Sequence, residues 1–293
     1  MSISYKGCIM ETIQEIAKDI RKKMYKMAHF AGGGHLGGAF SSADIISVLY
    51  FDDVLKYDAH NPDWDARDFF ILSKGHACYA QYAALAKAGF FDEEELWHIE
   101  KPGSAFGGHP KIYEIPGVEA STGALGHGLS FGIGISYANK VDGKGNHTYV
   151  IVGDGECQEG SIWEGALCAH TLELDNLTVI VDHNKLQGMD FLENIIRMAP
   201  LAEKWKAFGW NVIEINGHDY KQIKEALLVR KEKQPTLVIA HTVKGKGVSF
   251  MENSAIWHSR MPNEQELPIL MRELGLTQEE LILQEENDEN SLS

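Results

Sequence analysis

Between Glu11 and Phe30 apolar residues recur every three or four positions, at Ile13, Ile16, Ile20, Met24 and Met27. That spacing lines one side of a helix. A glycine-rich turn, Gly32 to Gly38, follows, and Ser41 or Ser42 is suited to cap a second helix near that point. From Phe69 onward the pattern changes to short apolar runs separated by longer amphipathic stretches. Phe69–Leu72, Tyr149–Val152, Leu177–Val181, Trp210–Ile215 and Thr236–Ala240 read as buried strands. Between them lie predicted helices: one from the Lys74-Gly75-His76 turn to near Gly89, then Ser161–Leu172, Leu201–Phe208, and one opened by Asp219 and running to about Glu232. Strands alternating with helices of this length demand right-handed crossovers, and so predict an α/β fold with a mainly parallel sheet and helices on both faces.

No internal repeat or low-complexity linker breaks the pattern. The stretch Lys101–Ala124 is rich in Gly and Pro and has no period, a long loop of the kind that often carries function. One domain is expected over residues 1–275, followed by an acidic tail over 276–293 that reads as a solvated end. The net charge of −15 argues against nucleic acid as a partner, because phosphate backbones are bound by clustered Lys and Arg. No apolar run is long enough for a membrane span and no signal-peptide core precedes Ile20, so a cytoplasmic location is expected. The four cysteines, Cys8, Cys78, Cys157 and Cys168, form no CxxC pair and are expected to be reduced, with Cys157 a small half-buried side chain.

In a parallel α/β sheet, ligands bind beyond the carboxyl ends of the strands. The polar and glycine-rich segments of this chain follow its strands: Ser73–His76, Gly153–Gly155, Asp182–Asn184, Gly217–Asp219 and His241–Gly247. They would open onto one rim. Asp154 ends one strand and Asn184 the next. Magnesium takes about six oxygens and is usually held by one or two carboxylates together with phosphates. Asp154 offers a carboxylate, Asn184 an amide oxygen and Leu186 a main-chain carbonyl. Gly153 and Gly155 allow backbone to approach a diphosphate, and the helix after Gly160 would favour that anion at its N-terminus.

Of the 13 histidines, several sit in glycine-rich segments: His35, His76, His109, His127 and, beside Trp257, His258. Near neutrality an imidazole bonds phosphate or sugar hydroxyls and shuttles protons. No HExxH pair suggests zinc. The Lys244-Gly-Lys246-Gly run lacks the spacing of a nucleotide-binding P-loop, and no Gly-x-Ser-x-Gly elbow is present.

Together these motifs resemble the N-terminal, diphosphate-binding domain of transketolases. The likeness rests on Gly153-Asp154-Gly155 with Asn184, Gly-Asp-Gly-Glu-Cys-Gln-Glu-Gly, Ser-Lys-Gly-His, Gly-His-Pro, Ser-Thr-Gly-Ala-Leu-Gly-His-Gly and Val-Lys-Gly-Lys-Gly-Val, in the family's order over nearly the whole chain. The resemblance implies the thiamine diphosphate (ThDP) fold, ThDP and Mg²⁺ as cofactors, and transfer of a two-carbon ketol unit from a ketose to an aldose. It implies Asp154, Asn184 and the Leu186 carbonyl as magnesium ligands. Gly153, Gly155, Glu156, His76 and His258 would lie at the cofactor, and Gly123 and Leu125 on its aminopyrimidine side. His35, His109 and His258 would contact sugar hydroxyls and move protons, and Glu159 would join an acidic network across a subunit interface.

The chain departs from the family at Leu36, where proline is usual, and at His127, where glutamine is common. Transketolases also continue into a pyrimidine-binding and a C-terminal domain. Either the chain is a fragment or a separate chain supplies the rest; the native-looking acidic tail favours one subunit of a split transketolase, completed by a C-terminal subunit in a dimer of heterodimers acting on sugars. Three alternatives stand beside this: the α subunit of a 2-oxo-acid dehydrogenase, half of a synthase resembling deoxyxylulose-phosphate synthase, and a non-catalytic scaffold subunit.

Overall fold

The computed structural model describes residues 11–188 and 190–282. Five parallel strands, β1 (Phe69–Leu72), β2 (Thr148–Gly153), β3 (Leu177–His183), β6 (Asn211–Asn216) and β7 (Thr236–His241), form one sheet in the order β1-β2-β3-β7-β6. A short antiparallel ribbon, β4 (Leu186–Gln187) with β5 (Asp190–Phe191), follows the metal-ligand candidates. The helices are α1 (Ile13–Ala31), α2 (Leu36–Phe51), α3 (Cys78–Ala88), α4 (His127–Val141), α5 (Gly160–Thr171), α6 (Leu192–Ile195), α7 (Leu201–Ala207), α8 (Tyr220–Leu227) and α9 (Leu267–Leu274).

The strands are apolar at nearly every position because both faces of the sheet are covered. Tyr149, Ile151, Ile180 and Val238 point into a core shared with α1, α2, α3, α8 and α9. Their neighbours Val150, Val152, Val179, Val181 and Leu237 point the other way, onto α4, α5 and α7. Chain order explains the division. The chain steps one way along the sheet from β2 through β3 to β6, with α5 and α7 on one face. It then steps back to insert β7, so a right-handed crossover sets α8 on the opposite face.

Thr12 caps α1 in a reciprocal box with Glu15, and Gly32 ends it in the left-handed conformation at φ 76°. The second helix differs from the expectation: it begins at Leu36, inside the supposed turn, and Ser41 and Ser42 lie buried within it. The glycines there answer a packing demand, since a Cβ on Gly37 would come within 2.6 Å of the Trp257 carbonyl. The helix opened by Asp219 stops at Leu227, short of Glu232, because the Arg230 guanidinium takes the carbonyls of Leu227 (2.7 Å) and Val229 (2.8 Å). Lys101–Ala124 contains no helix or strand.

The packed body extends beyond the expected boundary. Leu276 and Leu281 are buried with α1, and Glu280 pairs with Lys22 at 2.5 Å, so the packed body runs past residue 275. Residues 283–293, most of the predicted acidic tail, lie outside the described residues, as does Cys8. Cys78, Cys157 and Cys168 are unpaired thiols, and burial pushes the Cys157 thiol well above its ordinary range. Among the described residues no helix is long and apolar enough to cross a membrane.

Candidate functional site

The parallel register between β2 and β3 sets Gly153 beside Asp182, and so brings Asp154 next to the His183–Leu186 segment. Asp154 is buried. One carboxylate oxygen accepts the Gly155 N–H at 2.8 Å; the other accepts Lys185 N–H at 2.6 Å and lies 3.2 Å from His183 Nδ1. Asn184 is buried too, with its amide oxygen accepting Leu186 N–H at 3.0 Å. Asp154, Asn184 and Leu186 thus converge as the sequence suggests. Among the described residues no three His, Cys, Asp or Glu side chains cluster as metal ligands. A cation here would be held by one carboxylate with amide, main-chain and phosphate oxygens, the donor set that suits magnesium.

Below them lies a charge network that the motifs alone do not reveal. Asp182 is fully buried and is bonded by the Lys74 ammonium, the Thr242 hydroxyl and the Ser41 hydroxyl (2.6 Å). Burial pushes its carboxyl up, but the adjoining Lys74 outweighs that and holds it below the usual range. Lys74 also donates to the Gly38 carbonyl at 2.7 Å, tying α2 to the loop after β1. Lys74 and Lys244 stand in motifs that assign them no role, and their partners are separated too far along the chain for spacing to reveal.

Above the network His35, His76 and His258 form a triangle with ring centroids 5.2 to 5.6 Å apart. Burial, then Lys74, drives His76 down to about 3; burial, then Lys244, drives His258 to about 4; His35 is also lowered, chiefly by burial. The three rings are therefore neutral at pH 7, able to accept as well as donate. Lys244, only 1% exposed, has its ammonium 3.3 Å from His258 Nδ1, and burial lowers it to about 8. Among the described residues no carboxylate lies within ion-pair distance of Lys244, although Asp154 and Asp182 act on it from further off; a buried cation is costly unless anions complete it, so the pocket fits a diphosphate.

His109 is exposed at the edge of this group. Gly123 adopts φ +149°, a conformation that strains any other residue, and a Cβ there would stand 3.0 Å from the His109 ring. Gly123 and Leu125 lie on a loop held over the end of β1 by the Thr122 hydroxyl bonding the Leu72 carbonyl at 2.7 Å. Leu125 is exposed at 36%. Gly153 and Glu156 prove to be tied to each other: the buried Glu156 carboxylate accepts from Gly153 N (3.0 Å), Gly126 N (2.8 Å) and the Ser73 hydroxyl. With these three bonds Glu156 joins three loops around the site. Glu159 is exposed at the N-cap of α5. A helical turn, Glu156–Gln158, separates Gly155 from that helix, whose N-terminus therefore carries its own carboxylate next to any incoming anion.

Of the five histidines in the motif segments, His127 falls elsewhere, exposed at the start of α4; His218, in the Gly217–Asp219 segment, is spent on Asp44 (2.7 Å) and the Val243 N–H (2.8 Å). A cleft of about 1070 Å³ opens beside Asn184, walled by Phe191, Arg197, Met198 and Val243.

Comparison with known proteins agrees with this geometry. Residues 12–290 match the family described as transketolase, thiamine diphosphate binding domain. The chain is 39% identical to an apulose-4-phosphate transketolase subunit of Phocaeicola vulgatus, over 91% of this chain and 95% of that protein. It is 39% identical to a 6-deoxy-6-sulfo-D-fructose transketolase subunit from a Clostridium species, over 86% of this chain and 92% of that one. Human transketolase is 35% identical, but the chain spans only 40% of its length. The structure of the Leishmania mexicana transketolase superposes with a TM-score of 0.85 at 30% identity, covering 92% of this chain and 42% of that one. With its parallel sheet, its Asp154–Asn184 pair and these relatives, the chain belongs to the transketolase family as a thiamine diphosphate-binding domain.

Proposed function

We propose that the chain is the diphosphate- and magnesium-binding subunit of a two-chain transketolase that transfers a two-carbon ketol unit from a ketose to an aldose. The observation that carries this reading is the set of polar groups gathered beyond β2 and β3: the buried Asp154 carboxylate accepting the Lys185 N–H next to Asn184, and the buried Lys244 beside the His35, His76 and His258 rings. Relatives that the chain spans almost fully are called transketolase subunits, whereas it spans only 40% of one-chain transketolases.

Asp154, Asn184 and the Leu186 carbonyl would hold magnesium; Lys244 and His76 would hold the diphosphate, joined by the Gly155 N–H only if it exchanges its bond to the Asp154 carboxylate for one to phosphate. Bound thiamine diphosphate supplies the electron sink for breaking and remaking a carbon–carbon bond beside a carbonyl. His35, His109 and His258 would orient substrate hydroxyls and carry protons between them, as neutral imidazoles able to do both. Leu125 and Glu159 would meet the partner chain. We propose that this partner also covers the outward side of α4 and α5, where Phe131, Tyr137, Val141 and Leu167 are exposed, in a dimer of heterodimers. The location would be cytoplasmic.

Calorimetric titration of thiamine diphosphate with magnesium tests the reading, first into the chain alone and then into the chain joined to a C-terminal subunit. Tight binding that appears in the pair and vanishes with chelator is expected. No binding in a confirmed pair would sink the cofactor assignment and favour a scaffold subunit.

A further inference from the structure

Glu100 occupies an unusual position between the two loops that carry His35 and His109. Its backbone is left-handed at φ 58°, a conformation that costs a non-glycine residue about 1 kcal/mol. The turn is pinned by Glu100 N–H donating to the Phe106 carbonyl at 2.8 Å. One carboxylate oxygen accepts from the Tyr79 hydroxyl at 3.3 Å, and that hydroxyl also lies 3.2 Å from the Gly33 carbonyl, two residues before His35. The same oxygen lies so close to Gly108, next to His109, that a Cβ there would stand 3.0 Å away. Glu100 therefore touches one histidine loop directly and the other through Tyr79. Its side chain stays exposed, and none of the ion pairs among the described residues involves it.

We infer that Glu100 is a specificity-determining residue whose carboxylate, seated between the His35 and His109 loops, selects sugars with an uncharged, hydroxylated end over sugars whose end carries a phosphate. The inference rests on the proposed sugar-transferring site. A carboxylate accepts hydrogen bonds and cannot donate them, so a sugar hydroxyl satisfies it and a phosphate does not. A carboxylate and a phosphate brought close together also repel, and specificity is often built from such a repulsive element. The field of Glu100 already reaches the pocket, since it raises the His35 pKa against the larger lowering by burial.

The test uses the complete two-subunit enzyme with erythrulose as an uncharged ketose donor, and compares kcat/KM for ribose and ribose 5-phosphate as acceptors. Each variant serves as its own control, because a general loss of activity cancels in the ratio. Glu100→Gln removes the charge at constant shape, and Glu100→Gly removes it while suiting the left-handed backbone. Both are expected to shift the ratio about tenfold toward the phosphorylated acceptor. A ratio that moves less than twofold in both variants, in an active enzyme, would overturn the inference alone. A wild-type pair that binds thiamine diphosphate yet turns over no ketose would overturn the proposed function and this inference together.

Discussion

Helices α2 and α4 are nearly the same length, 16 and 15 residues, and both start in glycine-rich sequence at the ligand rim. Their surroundings differ sharply. From Leu36 to Tyr50 every residue of α2 is buried, against α1, α3 and α8. By contrast α4 buries one stripe, Leu129, Gly132, Ile133 and Ser136, and turns Phe131, Tyr137 and Val141 to the outside. The first is finished scaffolding: Ser41 reaches Asp182 and Gly38 receives Lys74, so the helix holds the polar floor of the site. The second leaves an apolar face exposed, the face proposed above to meet the partner. On the proposed reading, α2 supports the end of the site that would take the diphosphate, and α4 faces the partner chain.

That contrast can be broken where it is strongest. Lys74→Met would leave the Asp182 charge buried and unpaired beneath α2, and such a loss costs about 3–5 kcal/mol. Urea unfolding should show this as a lower midpoint, and a midpoint unchanged within error would mean that the network bears no weight. Asp154→Ala acts at the seam between the two regions. Magnesium-dependent affinity for thiamine diphosphate in the complete enzyme should fall about 100-fold, roughly 2.7 kcal/mol, with the fold intact by circular dichroism.

Acid probes the histidines that rest on α2. His76 has a folded pKa near 3, against 6.5 when unperturbed. The unfolded chain therefore binds a proton over that interval that the folded chain refuses. Stability is complete above pH 6.5 and drains as pH falls below it, by at most about 1.4 kcal/mol per pH unit for this one residue. Unfolding followed from pH 7 to 4.5 should show that slope, and His76→Gln should flatten it. The smallest effect on the isolated chain belongs to α4. Phe131→Glu should change its stability by no more than about 0.5 kcal/mol, yet weaken association with the partner at least tenfold in sedimentation equilibrium. A large loss of stability instead would show that α4 is packed within this chain after all.

The same contrast marks what can be read from the chain. Buried parallel strands announce themselves as apolar runs, and β1 is legible to the residue. Asp154 and Asn184 are legible because each ends such a run. Helix α4 is hidden because Gly128, Gly132 and Gly134 interrupt its apolar period, and Gly132 is there to let Val150 pack close. The start of α2 is misplaced for a related reason, since Gly37 and Gly38 look like a turn and serve instead as contact points. The Lys74–Asp182 pair, 108 residues apart in sequence, is invisible there. Pairings of that kind follow from the order in which strands assemble, and a single chain carries no local sign of them. Glu156 shows the converse, a residue inside the strongest motif whose bonds turn out to be internal.

The pairing of Gly153 with Asp182 has a consequence for descent with modification. Asp154 and Asn184 are brought together by strand alignment, so the number of residues between them is not what the chemistry measures. Lineages can gain or lose residues at the far end of the crossover, around Leu172–Asn176, and keep the two residues adjacent. A single residue deleted within β3 would instead turn its side chains to the opposite face and part them at once. Distant members of the family should therefore differ freely in the length of that crossover and hardly at all within the two strands.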